Sequence, residues 1–512
     1  MSVTNQHFEL PEEVVRKIAA GEVIDRPDAV VKELIENSLD AGAKKIEIFL
    51  ENGGMKRIEI RDDGVGMNLE DLRKSFLPHT TSKLKTLDDL SRVSTFGFRG
   101  EALSSMVTVA KVTLESRQAS QKLGNHILVV DEKIQEENSI GMPVGTRIVV
   151  ESLFSRIPAR KKFIEKVSRE LQYILKRVTH SALSYPSVQF AVFHEGKELF
   201  MVFPNSSLKE RMEAVLGENF GRDTLAYSSE FENIQVNGFL GKPQLSLRSP
   251  SRQFVFVNGR PIRNRHIAKA IRDAYGPLLE PKAYPAFLLH ITLPYDLYDA
   301  NVHPRKEEVL IFHDDVFIHK MFEHIQQFLQ EKDLTYLIQS ENIPDQFILR
   351  DRATESPFKE AFQKGWQVSH EENKVPEVLQ FLNTYLLYDQ GGELMIVDQH
   401  AAHERVLYQE FLQKYTENLF DEKESVDCQE KIEIGKENMF LFEKNISLFE
   451  KIGFSLEIEK NGSIFIQKIP SIFQGMELAR IFLDFLTDIQ EYGKITKPDL
   501  LSDRALSFLA CR

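Results

Sequence analysis

The 512-residue sequence contains only two cysteines, Cys428 and Cys511. Two thiols cannot build a disulfide framework or a cysteine-rich zinc site, and such scarcity is typical of a reducing compartment. The sequence also lacks an apolar run of about 18 residues, so no membrane span is predicted. Its first residues lack the apolar core of a signal peptide. We therefore expect a soluble, cytoplasmic protein with no membrane partner.

Extremes of composition are absent as well. Hydrophobic residues make up 42% of the chain and charged residues 28%, which is ordinary for globular proteins. A wholly disordered or collagen-like protein is thereby excluded. A chain of this length is too long for a single hydrophobic core, so two to four domains are expected.

The net charge of −13 is unevenly distributed. Residues 1–330 contain 44 acidic and 44 basic side chains, whereas residues 331–512 contain 33 acidic and 20 basic ones. The whole excess of negative charge therefore lies in the C-terminal part. The acidic average says little about nucleic-acid binding by the first 330 residues.

Helix and strand patterns alternate near the N-terminus. Residues 12–24 and 28–41 have helical periodicity, and we expect Asp28 to cap the second helix and Gly42 to end it. A period of two follows and predicts a β-hairpin that turns at Asn52-Gly53-Gly54. The alternating apolar residues are Ile46, Ile48, Leu50, Ile58 and Ile60.

The order of these patterns predicts the fold class. Helices and strands mix up to about residue 330 without βαβ repetition, which favours a layered α+β fold over a doubly wound one. Residues 331–374 are polar and aperiodic, and we interpret them as a linker. Residues 375–512 resume strand and helix patterns and are expected to form a separate acidic domain.

Two polar side chains on the second helix are candidates for phosphate chemistry. Glu33 and Asn37 lie four residues apart and so share one helix face. A carboxylate can deprotonate a water molecule, and an amide oxygen can bind Mg²⁺. Taken alone, the pair fits a solvated helix surface better.

Glycine-rich segments follow the hairpin. Asp62 precedes Gly64 and Gly66, and a carboxylate there could accept a hydrogen bond from an exocyclic amine such as that of adenine, although a simple turn is the alternative. TFGFRGEAL (95–103) places glycines before a helix start, where backbone N–H groups can bind phosphate. The sequence lacks G-x-x-x-x-G-K-[ST], so this is no P-loop.

The combination of motifs is more specific than any one of them. ELIENSLDAG, RDDGVGM, HTTSK and TFGFRGEAL follow one another within residues 33–103. In this order they resemble the MutL family of DNA mismatch-repair proteins, which belongs to the GHKL ATPases. The resemblance continues through GTRIVVESLF, PARKKF, QFVFVNGRPI and DANVHPRKEEV, and covers essentially all of residues 1–330. It is weaker in residues 375–512.

The resemblance implies a domain organisation. Residues 1–215 would form an ATP-binding α/β sandwich, and residues 216–330 a ribosomal-protein-like α/β domain that also binds DNA. The linker, 331–374, would lead to a C-terminal α/β dimerisation domain, 375–512.

It also implies roles for individual residues. Glu33 would be the general base, Asn37 the Mg²⁺ ligand, and Asp62 the residue that binds adenine, beside Gly64 and Gly66. The residues implied to surround the rest of the nucleotide are Lys83 in a lid, Gly97, Phe98, Arg99, Gly100, Glu101 and Ala102 around the triphosphate, Thr146 near adenine, and Lys306 at the γ-phosphate. Arg156 departs from the family, which has Asn there, and puts one loop contact in doubt.

A basic segment predicts a DNA surface. No acidic residue occurs between Glu232 and Asp273, whereas eight cations do. Such a segment suits sequence-independent phosphate contacts, although a solvated face or ion pairs with distant acids would also accommodate it. We favour DNA, and assign its binding to Arg252, Arg260, Arg263, Arg265, Lys269 and Arg272. A second basic cluster comprises Arg156, Arg160, Lys161, Lys162, Lys166 and Arg169.

A second metal site is a hypothesis for the C-terminal domain. Asp398, His400 and Glu404 could bind Zn²⁺ or Mn²⁺, but a capped helix start explains them equally well. The stretch resembles an endonuclease motif of one branch of the family, DQHA-x-x-E-x-x-x-x-E. Gln409 replaces its last glutamate, and Glu410 is displaced by about 100° around a helix.

The end of the chain also departs from the family. The sequence stops at LACR without the Cys-Pro-His-Gly-Arg-Pro motif that the family normally adds, so the C-terminal domain is expected to be incomplete. Endonuclease activity therefore stays an open alternative, and we favour its absence. QEKIEI (429–434) indicates a sliding-clamp contact only weakly, because Lys431 and Ile434 break the family's clamp-binding pattern.

The resemblance implies a function. The chain would be a slow Mg²⁺-dependent ATPase that forms a homodimeric clamp, binds DNA, and couples mismatch recognition by MutS to a downstream nuclease or helicase at the nucleoid. Two alternatives stay open. One is a nucleotide-switched scaffold without relevant catalysis, and the other is a different GHKL ATPase such as a gyrase B-like subunit.

Overall fold

The computed structural model describes most of the N-terminal two thirds of the chain and parts of the remainder. The described residues are 11–78, 80, 100–279, 282–299, 310–312, 314–332, 379–381, 385–390, 393–398, 425–451, 453–459, 462–474 and 477–492. They form a mixed α/β protein, as the sequence predicts.

The first region is an α/β sandwich built on one large, mainly antiparallel sheet. Its described strands are ordered β5-β4-β3-β6-β2-β1-β7-β8, and only β1 and β7 run parallel. The strands are β1 (Lys45–Glu51), β2 (Arg57–Asp62), β3 (Lys111–Arg117), β4 (Gly124–Val130), β5 (Lys133–Ile140), β6 (Gly145–Glu151), β7 (Gln189–His194) and β8 (Lys197–Val202). The predicted hairpin is confirmed as β1 and β2, with its alternating apolar residues buried.

Helices cover one face of this sheet. They are α1 (Glu12–Val23), α2 (Pro27–Asp40), α3 (Leu69–Ser75), α4 (Ala102–Val109), α5 (Pro158–Lys161), α6 (Val167–Ser184), α7 (Leu208–Leu216) and α8 (Glu218–Arg222). The two helices predicted at residues 12–24 and 28–41 are confirmed within one residue at each end. Gly42 follows the second helix with φ +74, a backbone conformation suited to glycine.

Asp28 is not the N-cap of α2, contrary to prediction. Arg26 occupies the cap position and Pro27 is the first helical residue. Proline is favoured at that position because its missing N–H would have had no partner in the helix. Asp28 is buried in the first turn instead, and accepts a hydrogen bond from Arg177 Nε at 3.2 Å.

The second region contains a smaller sheet ordered β12-β11-β13-β10-β9, in which β11 and β13 are parallel. Its strands are β9 (Thr224–Phe231), β10 (Ile234–Gly241), β11 (Gln253–Val257), β12 (Arg260–Ile262) and β13 (Phe287–Thr292); a short pair, β14 (Tyr298–Asp299) and β15 (Leu310–Ile311), lies nearby in sequence. One sheet face packs against α9 (Arg265–Tyr275) and α10 (Asp314–Glu331).

The other face of the small sheet joins the core of the first region. Phe254 and Phe256 of β11 belong to the same buried cluster as the α2 and α6 side chains. The His180 ring of α6 packs edge-on to Phe254, with centroids 5.4 Å apart. Burial lowers the pKa of His180 well below its usual value. The first two regions are therefore joined by an apolar contact.

The described C-terminal residues form two small sheets and two helices. One sheet contains β16 (Leu379–Phe381), β17 (Tyr385–Gln390) and β18 (Glu393–Asp398), in agreement with the strand patterns expected after residue 375. The other elements are β19 (Ser425–Glu433), α11 (Lys436–Lys451), β20 (Ser455–Ile458), β21 (Ser463–Pro470) and α12 (Leu478–Tyr492). These five enclose their own phenylalanine-rich core and are called the C-terminal unit below. No described helix is long and apolar enough to cross a membrane.

Candidate nucleotide-binding site

Helix α2 presents Glu33 and Asn37 beside the large sheet. Its apolar residues, Val30, Val31, Leu34 and Ile35, are buried against the sheet and anchor the helix. Glu33 and Asn37 are less buried than these apolar residues and lie on another side of the helix. One helical turn separates them, because four residues rise by about 6 Å. A carboxylate and an amide oxygen are thereby placed side by side, and oxygen donors of this kind suit Mg²⁺.

Lys32 lies beside the candidate base, although no motif in the sequence points to it. Its Nζ lies 2.9 Å from Glu33 Oε1 and 3.0 Å from Glu36 Oε1. All three side chains are at least 87% buried. Burial lowers the pKa of Lys32, but attraction to Glu36 and Glu33 outweighs burial and raises it. The ammonium therefore balances two carboxylates on one helix.

Asp62 ends β2 and is linked to α2 by a hydrogen bond. Ser38 Oγ donates to Asp62 Oδ2 at 2.8 Å, and the Gly64 amide donates to Oδ1 at 2.9 Å. Burial raises the pKa of Asp62, while hydrogen bonds from Gly64, Ser38 and the Thr146 backbone oppose that rise. The carboxylate is thus held in one orientation, on the next residue in α2 after Asn37.

A buried hydroxyl pair supports this corner of the sheet. Ser116 Oγ lies 3.0 Å from Thr146 Oγ1 and 3.0 Å from the Gly145 carbonyl oxygen. The Met67 amide donates to Ser116 Oγ at 2.8 Å. Ser116 fixes the loop after Asp62 to β3 and β6, and no sequence motif pointed to it. Its signal in the sequence is only a serine at a position where the alternation of Val112 and Leu114 predicts an apolar residue.

Gly66 permits a close approach of two backbone segments in that loop. Its φ is +70, and an added Cβ would lie 2.2 Å from the Arg117 carbonyl oxygen. No other residue fits there without moving β3. The D-x-G-x-G pattern is therefore required by the backbone geometry around Asp62.

The N-terminus of α4 is the candidate phosphate-binding element. Gly100 has φ +63, and an added Cβ would lie 2.3 Å from the Thr80 carbonyl oxygen. Glu101 is the N-cap residue, and its side chain makes no capping hydrogen bond. The first N–H groups of a helix lack partners within the helix and carry partial positive charge, which favours an anion.

Several implied nucleotide contacts lie outside the described residues. They are Lys83, Gly97, Phe98, Arg99 and Lys306. The structure brings together Asn37, Asp62, Gly64, Gly66 and Thr146, with Glu33 one turn along α2. Gly100, Glu101 and Ala102 begin α4, which packs against α1 and α2.

Helix α9 carries the candidate DNA-binding residues of the second region. Arg263, Arg265 and Lys269 are exposed, and Arg272 is partly exposed with its guanidinium 5.1 Å from the centre of the Tyr284 ring. The opposite side of the helix buries Ile267, Ala270, Ile271, Ala274 and Tyr275 in the core. The helix therefore presents a basic face on a rigid support.

Two of the six predicted DNA contacts are buried and unsuited to that role. Arg252 is 3% exposed and Arg260 is 4% exposed. Arg252 Nη2 donates to the Ile434 carbonyl oxygen at 3.0 Å, and Nη1 lies 3.4 Å from Glu437 Oε1. The alternative of an ion pair with a distant acid is thus correct for Arg252. A DNA surface would depend on the other four cations.

The second basic cluster is partly neutralised. Arg156 forms an ion pair with Asp131, and Arg169 lies 2.7 Å from Glu165 Oε2. The departure from the family at Arg156 thus creates an ion pair with the loop between β4 and β5.

Only some of the residues predicted to form a C-terminal metal site or clamp contact lie within the described ranges. The Asp398 backbone ends β18, while the Asp398 side chain, His400 and Glu404 lie outside the described residues. Within the described ranges, no three His, Cys, Asp or Glu side chains are grouped to hold a metal ion. The segment considered for clamp binding lies in and just after β19, where Ile432 and Ile434 are buried in the core of the C-terminal unit.

Comparison with known families gives three consecutive matches. Residues 26–157 match a family described as histidine kinase-, DNA gyrase B- and HSP90-like ATPase. Residues 212–330 match the C-terminal domain of DNA mismatch repair proteins, and residues 378–512 match the MutL C-terminal dimerisation domain. The first match contains Glu33, Asn37 and Asp62, together with the residues that surround the Asp62 carboxylate.

Whole-chain comparison agrees with these matches. The chain is 28% identical to the DNA mismatch repair protein MutL of Clostridium botulinum and 29% identical to that of Clostridium acetobutylicum. Each alignment covers 98% of this chain and 91% of the relative. A crystal structure of the N-terminal domain of a DNA repair protein is 26% identical, with a TM-score of 0.55, and covers 62% of this chain and 99% of that one. The chain therefore belongs to the MutL family of DNA mismatch-repair ATPases.

Proposed function

We propose that the α2–Asp62–α4 site hydrolyses ATP with Mg²⁺ and that hydrolysis times a DNA-repair clamp. The observation that carries this proposal is the Asp62 carboxylate, which is held by Ser38 and Gly64 beside Asn37. The fixed Asp62 carboxylate, at one end of α2, suits a hydrogen bond from the adenine amine. The first N–H groups of α4, where the Glu101 side chain makes no capping hydrogen bond, suit phosphate.

The roles of the side chains follow from their places on α2. Asn37 would bind Mg²⁺ through its amide oxygen, and Glu33, one turn away, would orient and deprotonate the attacking water. Bound Mg²⁺ would neutralise charge on the phosphates. Lys32 would balance the charge of the two neighbouring carboxylates before nucleotide arrives. Turnover is expected to be slow, because the nucleotide acts as a timer.

Replacing Glu33 tests the catalytic part of this proposal. Glu33→Ala should lower kcat by at least about 100-fold, since general-base catalysis typically contributes that much, and should leave ATP binding intact. Single-turnover hydrolysis and equilibrium binding of ATP measure the two effects separately. Glu70→Ala, an exposed glutamate on α3, is the matched control. Retained turnover in Glu33→Ala would refute the assignment of Glu33 as the general base.

DNA binding is proposed for the basic face of α9. Arg263, Arg265 and Lys269 are exposed cations on and just before one helix, and phosphate contacts of this kind are independent of base sequence.

Homodimerisation is proposed because residues 378–512 match a dimerisation domain. An apolar row on the sheet of β16, β17 and β18 supports it. Leu379, Leu387 and Ile396 lie opposite one another on three adjacent strands, and Leu379 and Ile396 are more than 60% exposed. Apolar rows of this kind favour association. The dimer would receive the mismatch signal from MutS and pass it to a nuclease or helicase.

A further inference from the structure

The C-terminal unit contacts both N-terminal regions along a short segment. Residues 433–438, which join β19 to α11, are called the docking segment here. Lys436 Nζ donates to the Met201 carbonyl oxygen of β8 at 2.5 Å, so the segment contacts the large sheet. Glu433 Oε2 accepts from the Asn219 amide at 2.7 Å, so it also contacts α8.

A buried ion pair lies at the centre of this contact. Arg252, just before β11, meets both the Ile434 carbonyl oxygen and the Glu437 carboxylate. The Arg252 side chain is 4% exposed and the Glu437 side chain 15%. A buried pair of this kind is strongly sensitive to loss of one partner, because an uncompensated charge is then left away from water.

The contact extends to α12. The Arg248 amide donates to Asp484 Oδ1 at 3.0 Å, and Thr487 Oγ1 lies 3.4 Å from Ser251 Oγ. Asp484 is 2% exposed. Two elements of the C-terminal unit therefore meet the same short stretch, residues 248–252, by hydrogen bonds.

Charge complementarity explains why these surfaces fit. Arg248 and Arg252 belong to the acid-free window between Glu232 and Asp273, whereas residues 331–512 hold the entire excess of negative charge. Glu437 and Asp484 supply, beside residues 248–252, acids that the window lacks. The Glu433 carboxylate also satisfies an N–H in the first turn of α8, which has no partner within the helix.

We propose that the C-terminal unit docks on the N-terminal regions of its own chain, and that DNA competes with this docked state. The covalent connection through residues 333–378 makes the association intramolecular, so a modest interface is enough to populate it. Docking takes Arg252 from the basic window and places acids beside it. Release would free Arg252 and remove acidic side chains from the basic window; the expected gain in DNA binding rests on the proposed function.

Hydrogen exchange on the full-length chain tests docking without relying on ATP or DNA. Glu437→Gln leaves the buried Arg252 cation without a counter-charge, so peptides covering residues 217–222 and 246–252 should exchange at least about tenfold faster. Glu430→Gln is the matched control, because it removes the same charge from an exposed position on β19. Equal exchange in both variants would overturn the docked state.

A second variant guards against misfolding. If Glu437→Gln loses its circular dichroism signal, Glu433→Ala decides the question, because Glu433 is only partly buried and holds the Asn219 amide. Faster exchange in the peptide covering residues 217–222, relative to Glu430→Ala, is expected. Unchanged exchange would contradict the proposal.

Cross-linking distinguishes docking within one chain from docking between copies. Lys197 begins β8 and lies within roughly 14 Å of Met201 along the strand, within reach of an amine-reactive cross-linker joined to Lys436. In a mixture of ¹⁵N-labelled and unlabelled protein, every Lys197–Lys436 cross-link should join peptides of the same label. Mixed-label cross-links would overturn docking within the chain.

Competition with DNA is measured last. Glu437→Gln should raise affinity for duplex DNA by at least about threefold over Glu430→Gln, because release removes the acidic unit from the basic window and frees the Arg252 charge. If exchange shows release but both variants bind DNA equally, the competition is refuted while docking stands. If neither variant nor the wild type binds DNA, the proposed DNA surface fails instead.

Discussion

At the scale of single residues, Lys32 decides the electrostatics of the candidate active site. Its ammonium lies between Glu33 and Glu36, at 2.9 Å and 3.0 Å. Two carboxylates three residues apart on a helix repel each other, and largely buried ones do so more strongly because water screens them less. Lys32 is therefore a positioning residue that acts through Glu33.

Removing that ammonium should change the pH dependence of hydrolysis. In Lys32→Met, a carboxylate deprived of its cation is harder to ionise, so the acid limb of the kcat profile should move to higher pH by about one unit. Lys32→Arg should retain much of the wild-type profile, since it keeps the charge. A profile of kcat against pH in all three proteins is the measurement. An unshifted acid limb in Lys32→Met would show that Lys32 only supports the fold.

The sequence identified the reacting residues of this site but not their supports. Glu33, Asn37 and Asp62 are found by helix spacing and by the D-x-G-x-G turn. Ser38 and Ser116 carry no such signal, because a buried serine is recognisable only when its partner in another strand or helix is known. Asp28 was misassigned because Pro27 is the first helical residue and moves the cap to Arg26; Asp28 instead contacts Arg177, 149 residues away.

At the scale of elements, the outer face of the large sheet is stabilised by a row of alternating charges. His126, Glu115 and Arg147 lie on β4, β3 and β6 and contact one another in that order. Arg147 Nε then donates to Glu59 Oε1 of β2 at 2.6 Å. Burial raises the pKa of Glu59, but hydrogen bonds from Arg147, Arg57 and Arg61 outweigh burial and lower it to about 2.

This row predicts a pH-dependent contribution to stability. A carboxylate with a lowered folded pKa stabilises the protein above its unfolded pKa, and that contribution is lost as the pH falls from about 4.5 to about 2. At pH 7, Glu59→Gln should be destabilised by roughly 1–2 kcal/mol, because partly exposed arginines are screened by solvent. The deficit should shrink towards pH 3.

Thermal unfolding at pH 7 and pH 3 measures this effect. The exposed Glu136 of β5 provides the control variant, Glu136→Gln. A deficit in Glu59→Gln that stays constant between the two pH values would contradict the pKa assignment.

The basic face of α9 gives a second prediction at this scale. Arg272→Glu, or the pair Arg265→Glu and Lys269→Glu, should weaken DNA binding and reduce the slope of log K against log salt by about one for each lost contact. Titration of duplex DNA at several salt concentrations tests this. Lys133→Glu on β5 carries the same charge change at a distant exposed site and serves as the control. Equal salt slopes in all variants would remove α9 from the DNA surface.

At the scale of the whole molecule, three hydrophobic clusters organise the described residues. The first includes side chains from β11 and β13 as well as the large sheet, so the boundary expected near residue 215 does not separate two independent cores. The third cluster belongs to the C-terminal unit. A separate acidic part after residue 330 could be predicted, because the excess of acidic over basic residues there can be counted in the sequence.

Contacts between these parts could not be predicted from the sequence. Arg252 lies in a basic segment and was assigned to DNA, whereas its hydrogen-bond acceptor is 182 residues away. The basic sequence around Arg252 indicates only that its cation needs an anionic partner. Whether that partner is a DNA phosphate or a protein carboxylate depends on which distant segments of the chain pack against Arg252.

The central claim is that one pocket between α2, Asp62 and α4 binds an adenine nucleotide. Isothermal titration calorimetry with adenylyl-imidodiphosphate and Mg²⁺ tests it most directly, on the wild type and on Asp62→Asn. Asp62→Asn presents an amide to the adenine amine, so we expect at least about tenfold weaker binding, the effect of one charge-assisted hydrogen bond. Absence of binding heat in the wild type, or equal affinity in both proteins, would contradict the account.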